Sequence, residues 1–351
     1  MMKKPLPKII LLFLLFIVGC KGMYSITDVS IYKGTDGLAI KFIENAPPNE
    51  VFEKTILPLG IMIRNAGAYD IENGLITFSL EEDYMLLDKT STRTSGRGKK
   101  SAEERFDWIE NERISWIEDK PQIRFSLNGK TIERAEGEEE IMTLKAEARP
   151  LEELSQTHEP SILATACYDY KTELVAAVCV DTDVYGIKKI TKSCKVKDLS
   201  FSSQGAPVAI TKIESEMVPM DIPEKARPQF LIHVQNKGDG LVIKDDMQVI
   251  TDACSEKSLN YTELSVVFIN AYLGGEQKQL NCNIEEETQY KDNKKTGLVK
   301  LRDNTGIARC VLDEGIDEDE GTYVSPLKIE LRYGYTNTIS KNVVIKKQLK
   351  Y

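Results

Sequence analysis

The chain has 351 residues, 41% hydrophobic and 29% charged, and its 46 basic and 55 acidic side chains leave a net charge of −9. The apolar share is enough for packed cores, and the length suggests about two domains. The acidic balance argues against nucleic acid as a partner, because a binder needs a basic stripe to displace phosphate counterions.

Residues 1–8 carry Lys3, Lys4 and Lys8, residues 9–18 are an unbroken apolar run, and Gly19 stands before Cys20. A positive start, a short apolar run and a small residue at the end make a secretory signal peptide. The run is too short to span a membrane, which takes roughly 20 apolar residues. Its Ile17-Val18-Gly19-Cys20 ending resembles the lipobox of prokaryotic lipoproteins. That resemblance implies that residues 1–19 are removed and that Cys20 carries the lipid. The expected location is therefore extracytoplasmic, lipid-anchored to the cell membrane. Multiple acyl chains hold a protein stably where one barely does.

Residues 24–43 read as short strands broken by Gly34 and Gly37. Next comes Leu59-Gly60-Ile61-Met62-Ile63-Arg64-Asn65-Ala66-Gly67, which recurs 171 residues later as Phe230-Leu231-Ile232-His233-Val234-Gln235-Asn236-Lys237-Gly238. Each copy alternates apolar and polar residues, the pattern of a half-buried strand. Asn-x-Gly after it reads as a tight turn, since both residues tolerate positive φ.

Residues 88–101 are polar, basic and glycine-containing, and read as a mobile loop. In 102–119, Phe106, Ile109, Arg113 and Trp116 fall at helical spacing, which predicts a short amphipathic helix. That helix either caps an open end of a sandwich or binds a partner. Trp108 and Trp116 are the candidate contacts, being the only tryptophans of the chain. Residues 137–140 read as a charged turn.

Ile162, Ala164, Ala166, Tyr168 and Tyr170 alternate inward and match Leu327, Ile329, Leu331, Tyr333 and Tyr335 at an offset of 165. Each run precedes a polar stretch and a further apolar one, so a hairpin turning at Thr172-Glu173-Leu174 is expected to close the first unit. Residues 182–207 read as the linker between units. Two homologous units account for both repeats.

Six cysteines follow Cys20: Cys167, Cys179, Cys194, Cys254, Cys282 and Cys310. An even count in an exported chain points to disulfides, and zinc is disfavoured because no C-x-x-C pair occurs. The expected hairpin would place Cys167 opposite Cys179 on the outward face, with Cys194–Cys254 tying the units together. The rival pairing is Cys179–Cys194. Cys282–Cys310 is expected in the second unit. Asn260-Tyr261-Thr262 is a glycosylation sequon, usable in an exported chain. Asp317, Asp319 and Gly321 fit part of a calcium-loop spacing, but the later bidentate Glu is missing, so a solvated turn is expected. His158 and His233 lie in different units, and no hydrolase elbow, zinc helix or phosphate loop occurs. Neither enzyme activity nor a cofactor is expected.

These features predict an all-β chain of two tandem Ig-like antiparallel β-sandwiches, the first with a partly helical insertion at 88–119. The expected boundaries are 20–181 and 208–351, either side of the linker. The V-x-V-x-N-x-G character of residues 61–67 and 232–238 resembles the CARDB-type Ig-like repeats of archaeal and bacterial cell-surface proteins. That resemblance implies adhesion or spacing, with an extracellular or envelope protein or glycan as partner, and it carries no catalytic residues. The alternative is a ligand-capture or inhibitor module beside an envelope enzyme or transporter.

Overall fold

Two runs of alternating residues, around Tyr168 and Tyr335, form the middle of the molecule. The computed structural model describes residues 31–96, 114–117, 120–187, 191–221, 225–282 and 296–348. Residues 31–351 form one compact unit, almost entirely β. Its largest sheet has nine strands, with main order β16 (Lys278–Gln279), β15 (Val266–Leu273), β20 (Thr322–Asn342), β10 (Ser161–Asp181), β4 (Ile71–Leu80), β7 (Lys120–Leu127) and β6 (Ile114–Ile117). Off this path, β14 (Leu241–Ile243) pairs with β20, and β17 (Gly297–Lys300) pairs with β15.

A four-stranded sheet runs β1 (Leu38–Phe42), β3 (Ile56–Asn65), β8 (Glu139–Ala148), β5 (Met85–Gly96). A five-stranded sheet contains β11 (Leu199–Ser200), β12 (Val208–Pro219), β13 (Lys225–Asn236) and β18 (Thr305–Val311), with β19 (Ile316–Asp317) also on β13. A small sheet joins β2 (Glu50–Phe52), β21 (Val344–Lys346) and β9 (Thr157–His158). Inward residues of the three large sheets meet in one continuous core, among them Ile61, Ile63, Phe78, Tyr168, Phe230, Ile232 and Tyr335.

β10 and β20 pair antiparallel along all of their 21 residues, with Tyr168 opposite Tyr335, Tyr170 opposite Tyr333, and Asp169 opposite Gly334. Asp169 and Gly334 are themselves equivalent under the 165-residue repeat, so the pairing relates the halves by an approximate two-fold centred there. Four tyrosine rings gather at this centre in mostly edge-on contacts, with centroids 5.7–6.3 Å apart. Such geometry sets the positive ring edge against a neighbouring face.

Each half knots its Asn-x-Gly turn onto this cluster. Asn65 Nδ2 donates to the carbonyls of Tyr69 (2.7 Å) and Leu127 (3.1 Å). Its Oδ1 accepts from the Gly67 N–H (3.1 Å) and the Tyr170 hydroxyl (3.3 Å). In the second half Asn236 Nδ2 donates to the Gly240 carbonyl (2.9 Å), while Oδ1 accepts from the Gly238 N–H and the Tyr335 hydroxyl, both at 3.2 Å. Buried polar groups need such partners, because an orphan keeps its full desolvation cost. The motif glycines serve this packing rather than positive φ, which neither adopts. A Cβ at Gly67 would overlap the Tyr170 hydroxyl, and one at Gly238 would overlap that of Tyr335.

Several expectations are corrected here. No hairpin turns at Thr172-Glu173-Leu174; β10 runs straight through, and its turn-like polar residues face Leu331, Glu330 and Ile329 of β20. Cys167 and Cys179 therefore sit twelve residues apart on one strand, about 40 Å, and cannot bond. Cys167 bonds Cys254, Cys179 bonds Cys194, and Cys282 bonds Cys310. Residues 88–96, read as loop, belong to β5, and 92–96 pair with β8 after a break in register that follows Leu87. Trp116, read as helical, lies in strand β6. The rest of that stretch, with Trp108, lies outside the described residues, as does Cys20.

Among the described residues an α-helix forms at α1 (Met247–Cys254), whose N-cap Asp246 accepts from the Gln248 and Val249 N–H groups. Eight residues are too few to hold a helix alone. The Cys167–Cys254 bridge fixes it to the outward face of the large sheet, over a small cluster of Leu75, Ile243, Val249 and Ile250.

Candidate binding cleft

β10 ends at Asp181, and residues 182–198 then lead toward β11. Side-chain contacts fasten this segment to the end of β10 and to the second half. Cys179 bonds Cys194 across 15 residues of chain. Thr182, fully buried, donates through its hydroxyl to the Glu318 carbonyl at 2.9 Å. Lys192 Nζ reaches Asp181 at 2.6 Å and Asp183 at 3.5 Å. The hydrogen bond to Asp181 raises the Lys192 pKa against an opposing desolvation effect, so the ammonium stays charged. Asp181 also accepts from the Thr322 hydroxyl at 3.0 Å, which fixes the end of β10 to β20.

Between this segment and β12 lies an open cleft of about 560 Å³, lined by residues including Tyr185, Lys192, Val196, Ser215, Glu216 and Met217. β12 forms its wall. Its inward residues are Ile213, Ser215 and Met217, opposite the buried side chains of Ile232, Phe230 and Pro228 on β13, while Glu214 and Glu216 point outward. β11 covers only the middle of this strand, pairing with Lys212 and Ile213.

The hydrogen-bond phase follows from two contacts. Phe201 N–H donates to the Thr211 carbonyl, and Met220 N–H donates to the Lys225 carbonyl. Antiparallel ladders alternate, so even-numbered residues 212–220 bond β13 and odd-numbered ones face the other way. The N–H and C=O groups of Ser215 and Met217 therefore point at the cleft, where no strand pairs with them among the described residues. The Ser215 hydroxyl is also buried without a partner.

The other candidates lie apart from this place. Asn260 is exposed in a turn, its N–H donating to the Glu263 carboxylate at 2.7 Å, beside Tyr261, whose ring lies 3.7 Å under the Lys300 ammonium. Asp317 precedes a 3-10 turn, Glu318–Glu320, and pairs with Lys225 at 3.4 Å. Asp319 is exposed in that turn, and no group of three or more metal-ligating side chains occurs among the described residues. His158 stacks on Tyr84 and bonds Glu81 at 3.1 Å. His233 bonds Glu214 at 2.9 Å on the outward face. The free edge of β12 was not assigned from sequence, although Ile213-x-Ser215-x-Met217 between charged residues carries the alternation that could have found it.

No family model and no curated protein matches the chain. Among solved structures, similarity extends to AvmM, which catalyses macrocyclization in alchivemycin A biosynthesis, at 13% identity over 39% of this chain and 76% of that one, TM-score 0.23. The collagen-binding domain from a Staphylococcus aureus adhesin matches at 10% identity over 39% and 87%, TM-score 0.25. The T6 backbone pilin of serotype M6 Streptococcus pyogenes matches at 10% identity over 80% and 67%, TM-score 0.25. Likeness at this level assigns no residue a role.

Proposed function

We propose that this protein is a non-enzymatic binding or scaffolding protein of the cell surface, tethered by lipid at Cys20 to the outer face of a membrane. The observation that carries this reading is the state of the cysteines: all six that follow Cys20 are joined in three disulfides. Disulfides persist in oxidising compartments and are rare in the cytosol. The lipobox-like ending at Cys20 supports a tether, and adhesion or spacing accords with the CARDB-like motif. The cleft beside β12 favours the ligand-capture form of this reading, since it offers unpaired backbone groups to a bound segment.

The test is Cys20→Ala with fractionation of the producing cells. The wild-type chain is expected in the membrane fraction and reactive toward a membrane-impermeant amine label. The variant is expected to lose the membrane association. A wild-type chain recovered in the cytosol, or a variant that stays in the membrane as before, contradicts the proposal.

A further inference from the structure

We propose that the edge of β12 at Ser215–Pro219, unpaired among the described residues, binds an extended, cationic polypeptide segment as an added antiparallel strand. The inference rests on the binding-protein reading above and names the class of ligand. An unpaired strand edge is a template for another chain, and pairing by main-chain hydrogen bonds with pockets for alternate side chains is a general mode of peptide recognition.

Three features fix the chemistry of the occupant. The cleft-facing N–H and C=O groups of Ser215 and Met217 call for backbone partners, so the ligand is a polypeptide in extended form. Its residues opposite Ser215 and Met217 enter the gap lined by Val196 and Met217, where small apolar side chains fit and bring a backbone near the unpartnered Ser215 hydroxyl. Its alternate residues lie on the outward face next to Glu216, which is exposed and shares one oxygen with Gln229 at 3.1 Å. Among the described residues the charged lining of the cleft is Asp181, Asp183, Glu216 and Lys192, which is already engaged by both aspartates. The described lining therefore carries an acidic excess. Opposite charges across a strand pair stabilise and like charges oppose, so the outward positions favour lysine or arginine.

The probe is a fluorescein-labelled hexapeptide of alternating valine and lysine, titrated against the detergent-extracted full chain by fluorescence anisotropy. Saturable binding is expected below about 1 mM. In an antiparallel addition the residues facing Ser215 and Met217 are the valines, and their N–H groups make the ladder. N-methylation of the valines should weaken binding at least about tenfold, and N-methylation of the lysines should not.

Met217→Pro removes a cleft-facing N–H without touching the β13 ladder, a placement that edge strands tolerate, and should abolish binding in a chain that stays folded, with a lower melting temperature from the lost core contact of the Met217 side chain. Glu216→Lys, which needs no backbone change, should turn the preference toward a valine–glutamate peptide. Absence of binding below about 1 mM overturns the inference, as does equal binding of the two methylated peptides or unchanged binding by both protein variants. A chain that bears lipid at Cys20 yet ignores the peptide overturns this inference alone. One that binds the peptide but lacks the lipid overturns the tether alone.

Discussion

Replacing Asn65 with alanine should be among the most damaging single changes in the described body. Asn65 is fully buried and its amide makes four hydrogen bonds, to Tyr69, Leu127, Gly67 and Tyr170. At a net value of about 1 kcal/mol each, and with partners left dry, N65A should cost about 4 kcal/mol. A typical domain has only about 5–15 kcal/mol in all. Asn236, 7% exposed with three such bonds, supplies an internal comparison at about 3 kcal/mol. Urea unfolding followed by tryptophan fluorescence would measure both, and a cycle with Tyr170→Phe should show coupling of about 1 kcal/mol to Asn65 and little to Asn236. A loss under about 1 kcal/mol for N65A would refute the view that the Asn-x-Gly turns are knotted onto the tyrosine centre.

Other predictions follow from the same interactions. Gly67→Ala sets a methyl group against the Tyr170 hydroxyl and should lower stability by about 2 kcal/mol or more, read as a drop in melting temperature. Cys179→Ser with Cys194→Ser opens a 15-residue loop and should cost about 3 kcal/mol in denaturant, together with faster proteolysis between residues 182 and 198. Burial, the largest cause, pushes the Tyr335 phenol up to about 12 and raises Tyr168 and Tyr333 well above the ordinary value of 10. The unfolded chain then releases these protons at lower pH than the folded one. Their stability contribution is complete below pH 10 and falls as pH rises from there to about 12 and beyond. Absorbance titration should show these phenols ionising only together with unfolding, and free ionisation at pH 10 in a chain that remains folded would contradict their burial.

Much of the architecture was legible because it is periodic. The alternation in residues 59–63 and 230–234 gives two strands with their buried faces correctly placed, and so does the alternation from Ile162 to Tyr170. What local pattern could not show is which strands meet. Thr172-Glu173-Leu174 looks like a turn because its polar residues break the alternation, but Thr172 is buried there, donating its hydroxyl to the Val208 carbonyl at 2.6 Å. A strand this long reads as two when the polar residue in its middle has a distant partner. The outward face of Cys167 was legible, but its partner Cys254 depends on a helix folded back from 87 residues away. The cleft is the hardest case: a free edge is defined by the strand that is not beside it, and that is a property of the tertiary arrangement.

The most direct test of the account is the intact mass of the membrane-extracted native chain, before and after reduction with alkylation. The predicted result is a chain that begins at Cys20, bears acyl mass, resists alkylation as isolated and gains six alkyl groups once reduced. An unlipidated chain, or thiols that alkylate before reduction, would contradict both the tether and the oxidising compartment on which the proposed function stands.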